Sequence, residues 1–316
     1  MRALVTGGAG FIGHHLVHHL LERGDEVSVI DDLSTGSLDR LDPYRDRATV
    51  VTASVLDAAA LDRAMEGSEV VFHQAALPSV ARSVRAPRAT NAANTDGTIE
   101  VMLAAARAGV RRVVYAGSSS VYGQSPELPR RETQVPDPRS PYATSKLAGE
   151  GYVHSLGDLH GIETVVLRYF NVFGPGQDPA SEYSAVIPRF VMALLRGERP
   201  QVFGDGSVSR DFTYIDNVVD ANLLAADAPG ASQLTCNIGC GERHTLLDLL
   251  RVIGEIIGVQ ADPAFSEVRA GDVPHSQADI SVAHARLAYQ PRVDLRKGLQ
   301  QTVAWYRHSV EDTGGR

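Results

Sequence analysis

A doubly wound, parallel α/β sheet followed by a smaller C-terminal α/β substrate domain is the architecture this sequence predicts. Three observations carry it. Apolar strand-like runs alternate with helical stretches over about the first 170 residues. A glycine-rich turn joins the first strand to the first helix, and two carboxylates stand at the end of the second strand. Element by element, Ala3-Leu4-Val5 leads into Thr6-Gly7-Gly8-Ala9-Gly10-Phe11-Ile12-Gly13. Leu16, Val17, Leu20 and Leu21 then recur on one helical face, and Arg23-Gly24 supplies the stop. Residues 26–31 read as a second strand, completing a β-α-β unit. A short strand follows over 49–52, a helix over 56–65 opened by Asp57, and a buried strand over 70–74. A helix over 95–108 ends at Gly109, and strands over 112–116 and 164–170 flank a helix over 145–156. This alternation calls for a parallel sheet covered on both faces. After Asn171 the texture changes: residues 174–179 form a Gly/Pro loop, and helices over 186–195 and 246–257 are separated by short strands. The expected division is 1–170 for nucleotide binding and 171–316 for substrate, with segments near 208–240, notably 216–226 and 233–238, as candidates to return to the sheet.

Composition narrows the function. With 316 residues, 43% hydrophobic and 22% charged, the chain has ample apolar surface to bury and is no disordered polymer. A formal net charge of −8 excludes a whole-chain basic field for nucleic acid, though not a local anion site. Two cysteines make no disulfide framework, so a reducing cytoplasm is the expected location. No run approaches the ~18 unbroken apolar residues of a membrane helix, and residues 1–12 do not read as a signal peptide. Only two lysines, Lys146 and Lys297, stand among 30 basic residues, which draws attention to both.

Gly7, Gly10 and Gly13 sit between a strand and a helix. The first permits a tight turn, the second lets a pyrophosphate approach amides at the helix N-terminus, and the third lets helix and strand pack closely. Asp31, 18 residues after Gly13, ends the second strand where a carboxylate can hold ribose hydroxyls. Asp32 doubles the negative charge there and would repel a 2′-phosphate, favouring NAD over NADP. Further on, Tyr142 and Lys146 have i,i+4 spacing, which on a helix points phenol and ammonium the same way. An ammonium beside a phenol is expected to lower its pKa and make Tyr142 a usable base. The run Gly117-Ser118-Ser119-Ser120-Val121-Tyr122-Gly123 follows a parallel strand, where hydroxyls meet ligands in this architecture.

Taken together, the glycine turn, Asp31-Asp32, His73-Gln74-Ala75-Ala76, the serine run, Tyr142/Lys146 and Leu167-Arg168-Tyr169-Phe170-Asn171 make a recognisable series. The chain resembles the extended short-chain dehydrogenase/reductases, and within them the nucleotide-sugar 4-epimerases, from residue 2 to about residue 306. The resemblance implies a Rossmann fold, NAD as cofactor, a UDP-sugar as substrate, and isomerisation at the sugar C4 through a transient 4-keto sugar. It implies that Tyr142 takes the proton from the 4-hydroxyl, that Lys146 holds the nicotinamide ribose, and that Ser118 relays the proton, with Ser119 and Ser120 open alternatives. It implies cofactor contacts from Gly7, Gly10, Phe11, Ile12, Gly13, Asp31, Asp32, Ser34, Thr35, Gly36, Gln74, Ala75, Ala76 and Asn94. On the substrate side it implies Asn171 near the diphosphate and Ala185, Val186, Gln201 and Phe203 around uracil and its ribose. It further implies that Arg210 and Arg269 form an arginine clamp on the diphosphate, and that Asp272 and Ser276 lie toward the sugar. A homodimer built on the helices near 95–108 and 145–156 is implied too.

Dehydratases of this kind carry an Asp-Glu pair where this chain has Ser119-Ser120, and decarboxylases typically a Glu at the second position. With neither carboxylate present, elimination lacks its proton-transfer group, and epimerisation is favoured. The expected sugar is of the glucose or N-acetylglucosamine type, because Ser276 is small, with UDP-glucuronate as the alternative. Threonine is common at the Asn171 position, and arginine at the Asp178 position, in glucuronate enzymes. Arg82, Arg85 and Arg88 read as solvated side chains, although one of them is a candidate partner for a uronate. A simple NAD-linked reductase remains a further reading. His14, His15, His18 and His19 read as the polar face of a surface helix, and Cys236 and Cys240 as buried small side chains, with no metal site expected.

Overall fold

The computed structural model describes residues 1–179, 185–267 and 274–314. Its centre is a seven-stranded sheet of β1 (Arg2–Thr6), β2 (Glu26–Asp31), β3 (Ala48–Thr52), β4 (Val70–His73), β5 (Arg112–Ser118), β6 (Glu163–Tyr169) and β7 (Leu234–Ile238). The spatial order is β3-β2-β1-β4-β5-β6-β7, and every pairing is parallel. The order reverses between β1 and β4, so the crevice beyond their carboxyl ends is the expected ligand position.

Side-chain alternation divides the core between the two faces. Val5, Val29 and Val114 pack with the Phe11–Glu22 and Ile215–Asp227 helices, while Leu4, Ile30 and Val113 pack with Ala58–Met65, Gly97–Ala108 and Pro141–His160. Leu16, Val17, Leu20 and Leu21 are the buried face of the first helix, as their spacing predicts. Asp57 caps the second, accepting from the Ala60 amide.

Three elements depart from the sequence reading. The segment containing 216–226 is a helix, Ile215–Asp227, laid on the sheet rather than a strand in it. The helix expected over 145–156 runs from Pro141 to His160, because Ser140 accepts from the Ala143 amide as N-cap and Pro141 takes the first turn. The helix expected from residue 95 begins with a π-turn over Ala92–Asp96 and continues as Gly97–Ala108, closed by Gly109 at φ 69°. Beyond the sheet, short pairs join Val172–Phe173 to Thr213–Tyr214, Ser209–Arg210 to His244–Thr245, and Gln201–Phe203 to Ala264–Ser266. They lay Asn171 and Arg210 against the cavity at the carboxyl end of the sheet. Among the described residues no helix is long and apolar enough to cross a membrane.

Candidate active site

The glycine turn is built for close approach. Gly7 has φ 69°, and a Cβ there would lie 2.7 Å from the Ala75 nitrogen; at Gly13 it would overlap the Gly7 carbonyl. Gly10 caps the Phe11–Glu22 helix without a side chain, so first-turn amides have no capping partner and can meet an anion. Asp31 is 8% exposed and ties this turn to β2, accepting from the Ala9 amide at 2.9 Å and the Leu33 amide at 2.8 Å. Burial raises its pKa, and those two amides partly offset the rise. Each oxygen keeps an acceptor site for a ligand hydroxyl. Asp32 is exposed and accepts from the Ser34 amide at 2.9 Å.

A cavity of about 600 Å³ opens at this point. Gly7, Gly10, Phe11, Ile12 and Gly13 line one end with Asp31, Asp32, Ser34 and Thr35. Gln74, Ala75 and Ala76 line its middle wall, and Ser118, Ser119, Ser120, Tyr142, Asn171, Ala185, Arg210 and Ser276 also line it. A second cavity of about 280 Å³, lined by Val186, Gln201 and Phe203, shares Asn171, Val172, Ala185 and Arg210 with the first. The structure therefore brings most of the expected residues together. Gly36, Asn94 and Lys146 are not on the cavity wall. Arg269 and Asp272 lie outside the described residues.

At the chemical centre, Ser118 Oγ and Ser120 Oγ are 2.8 Å apart, and the Ser118 hydroxyl also accepts from the Ser120 amide at 3.2 Å. Tyr142 stands at the second position of its helix, with Lys146 one turn on. The Lys146 ammonium, 3% exposed, donates to the Ala116 carbonyl at 3.0 Å and lies 5.0 Å from the Tyr115 ring centre. Burial pulls its pKa down to about 7. The expected lowering of the Tyr142 pKa by Lys146 is corrected here. Burial pushes the phenol above its ordinary value, and the partial offset comes from a hydrogen bond with Ser118.

Asn94 works from behind the wall. Its Oδ1 accepts from the Leu77 amide at 2.7 Å, and its Nδ2 donates to Ser145 Oγ at 3.0 Å. Ser145 in turn donates to the Tyr142 carbonyl at 2.8 Å. The π-turn thus links the cavity wall at Leu77 to the helix that carries Tyr142. The histidine reading also changes. His15 Nε2 lies 2.9 Å from the Pro175 carbonyl and His14 Nδ1 2.8 Å from the Gly10 carbonyl, so both rings are partly buried rather than a solvated face. Among the described residues no cluster of three metal-ligating side chains occurs.

A family model described as the NAD dependent epimerase/dehydratase family matches residues 3–239. This chain belongs to that family. Among other members, the UDP-glucose 4-epimerase of Mycolicibacterium smegmatis is 39% identical over 315 residues, covering 98% of this chain and all of the relative. The structure of a Thermotoga maritima UDP-glucose 4-epimerase with UDP-glucose superposes with a TM-score of 0.94 at 37% identity, over 98% of this chain and 100% of the other. A Bacillus cereus UDP-glucuronic acid 4-epimerase with UDP-glucuronic acid and NAD gives 0.90 at 30% identity, over 98% and 100%.

For this family member, several wall residues carry no local sequence signal. Ala53, Ser54 and Val55 follow β3 and join the end of the cavity near Asp31. Arg189, Val208, Phe212 and Leu246 line the second cavity, with the Arg189 guanidinium 5.3 Å from the Phe203 ring centre. Arg130 lines the main cavity beside Gly123 and Ser276.

Proposed function

We propose that this chain is an NAD-dependent 4-epimerase of a UDP-hexose. One observation carries the reading most: Tyr142, the Ser118/Ser120 hydroxyl pair, the glycine turn and Arg210 face one cavity, and no carboxylate stands at Ser119-Ser120. Residues 1–170 with β7 hold the cofactor, and residues 171–316 supply the UDP-sugar wall. The open backbone of Gly7, Gly10 and Gly13 and the carboxylate of Asp31 fit a dinucleotide. When bound, NAD supplies the acceptor and donor of hydride at the sugar C4. Tyr142 takes the 4-hydroxyl proton and later returns it, while Ser118 relays it and orients O4. Lys146, one turn on from Tyr142, holds the nicotinamide ribose. Asn171, Arg210 and Arg269 hold the diphosphate, for which forked guanidinium donors are suited. Val186, Gln201 and Phe203 close around the uracil and ribose. After the hydrogen leaves C4, the ketone has only to turn over for epimerisation, and no further acid or base is needed.

Within this class the small Ser276 leaves room for a sugar of the glucose or N-acetylglucosamine type, while a buried cation considered below favours UDP-glucuronate. The protein is proposed to work in the cytoplasm as a homodimer, which light scattering near twice 33.9 kDa would support. The deciding experiment incubates it separately with UDP-glucose, UDP-N-acetylglucosamine and UDP-glucuronate and resolves the products by NMR. Nucleotide released on denaturation should be NAD, and no NADH should accumulate during turnover. NADH formed in proportion to product would indicate a simple dehydrogenase instead.

A further inference from the structure

Among the described residues three arginines are buried: Arg112, Arg130 and Arg168, at 2%, 2% and 4% exposure. Two of them have carboxylates. Arg112 meets Glu163 at 2.7 Å, and Arg168 meets Glu150 at 2.5 Å. Arg130 has no carboxylate within ion-pair distance among the described residues. Its guanidinium donates to the Glu127 carbonyl at 3.2 Å and, weakly, to the Gly123 carbonyl at 3.5 Å. A guanidinium has five N–H donors, so most remain for another partner. The Glu127 carboxylate, beyond ion-pair distance, offsets the burial of this cation only in part, and the ordinary remedy is an anion.

The position of that anion follows from the wall. Arg130 lines the main cavity with Ser118, Ser120, Gly123, Tyr142 and Ser276, the end where the sugar meets the base. The backbone leaves it little freedom. The Arg130 amide donates to the Gln277 carbonyl at 2.7 Å, and its carbonyl accepts from the Asp279 amide at 2.8 Å and from Asn237 Nδ2 at 2.9 Å. Arg131, next in sequence, points elsewhere and pairs with Asp279 at 3.1 Å with its side chain 56% exposed. The contrast singles out Arg130 as the charge the fold holds at the sugar end.

We propose that Arg130 binds a carboxylate carried by the hexose, so that the preferred substrate is a UDP-hexuronate. This rests on the UDP-sugar reading above and selects its uronate branch. The test is calorimetric titration of the NAD-loaded protein with UDP-glucuronate, UDP-glucose and UDP, using the natural chain, Arg130→Met and Arg130→Lys. A charge-assisted contact of this kind changes affinity by about 10- to 100-fold. The natural protein is expected to bind UDP-glucuronate tighter than UDP-glucose by that factor. Arg130→Met should collapse the ratio while UDP affinity, which reports an intact fold, is retained, and Arg130→Lys should restore part of it. Equal affinity of the natural protein for both sugars would overturn the proposal, as would a Met variant that loses all three ligands while the Lys variant does the same. Failure of the natural protein to bind UDP at all would sink the UDP-sugar reading itself, and this inference with it.

Discussion

Tyr142 carries two opposed influences: burial that disfavours its phenolate and a Ser118 hydrogen bond that favours it. Tyr142→Phe removes the base but none of the proposed uracil or phosphate contacts. Its kcat should fall by at least ~10²–10⁴-fold, the usual yield of a general base, while calorimetry shows UDP binding retained. The raised phenol pKa gives the pH dependence its sign. The phenolate fraction grows with pH, so log kcat should climb from neutral toward alkaline pH. Ser118→Ala deletes the influence that lowers that pKa, so the rising limb should move to higher pH. Ser119→Ala should leave the limb in place, because no bond ties Ser119 to the phenol among the described residues. Equal displacement in both variants would assign the relay differently. At this scale the sequence is most readable where chemistry demands one residue type, as at Gly7, Gly13, Asp31 and Tyr142. It is least readable at Arg130. Arg130 and Arg131 look alike in the chain, and only the bridge of Arg130 to Ala278 turns one inward and the other out.

The Pro141–His160 helix shows how an element holds a site in place. It approaches β5 closely at Gly149, where a Cβ would run into the fully buried Tyr115 hydroxyl. One turn earlier is Lys146, whose carbonyl accepts from that same hydroxyl at 3.4 Å. Gly149→Ala should therefore push the helix off β5 and displace Tyr142 and Lys146 together. Overpacking of this kind costs ~1–3 kcal/mol, so the melting temperature should drop, and kcat should fall more than UDP affinity. A variant with unchanged melting and turnover would mean that Tyr115 yields at no cost. The limits of periodicity are visible in this helix too. Its apolar positions mark the middle, but its first turn, Pro141-Tyr142-Ala143-Thr144, carries no aliphatic side chain larger than alanine outside the proline ring and is set by the Ser140 cap and Pro141, so the expected start fell several residues late. The π-turn at Ala92–Asp96 escapes the sequence for a related reason. It is specified by Asn94 bonding to Leu77, 17 residues away, and by Ser145 on another helix. The alternation of strands and helices, by contrast, is local and strongly apolar, and all six strands expected before Asn171 are present.

Across the whole molecule the cavity draws on the carboxyl ends of strands from β3 to β6 and on chain far beyond the sheet, and β7 crosses back beside β6 after the Ile215–Asp227 helix. Such a site is assembled at some expense to the fold, and Lys146 makes that expense measurable. Its pKa falls from 10.5 in the open chain to about 7 in the fold, because burial disfavours the ammonium and among the described residues no carboxylate sits beside it. Between those two values the unfolded chain binds a proton that the native protein does not, so the contribution of Lys146 to stability improves as pH rises through that window. Below about pH 7 the full penalty of a buried charge is in place. Replacing the ammonium with an apolar group of similar length removes the penalty. Lys146→Met should accordingly melt at a higher temperature than the natural protein at pH 6, both without ligand, while its turnover is lost. The gain should shrink steadily toward pH 10, where both side chains are uncharged in the fold. Thermal melts of the two proteins at several pH values test this directly. A gain independent of pH would show that packing rather than charge governs the site, and a loss at pH 6 would show that the bond from Lys146 to the Ala116 carbonyl outweighs desolvation.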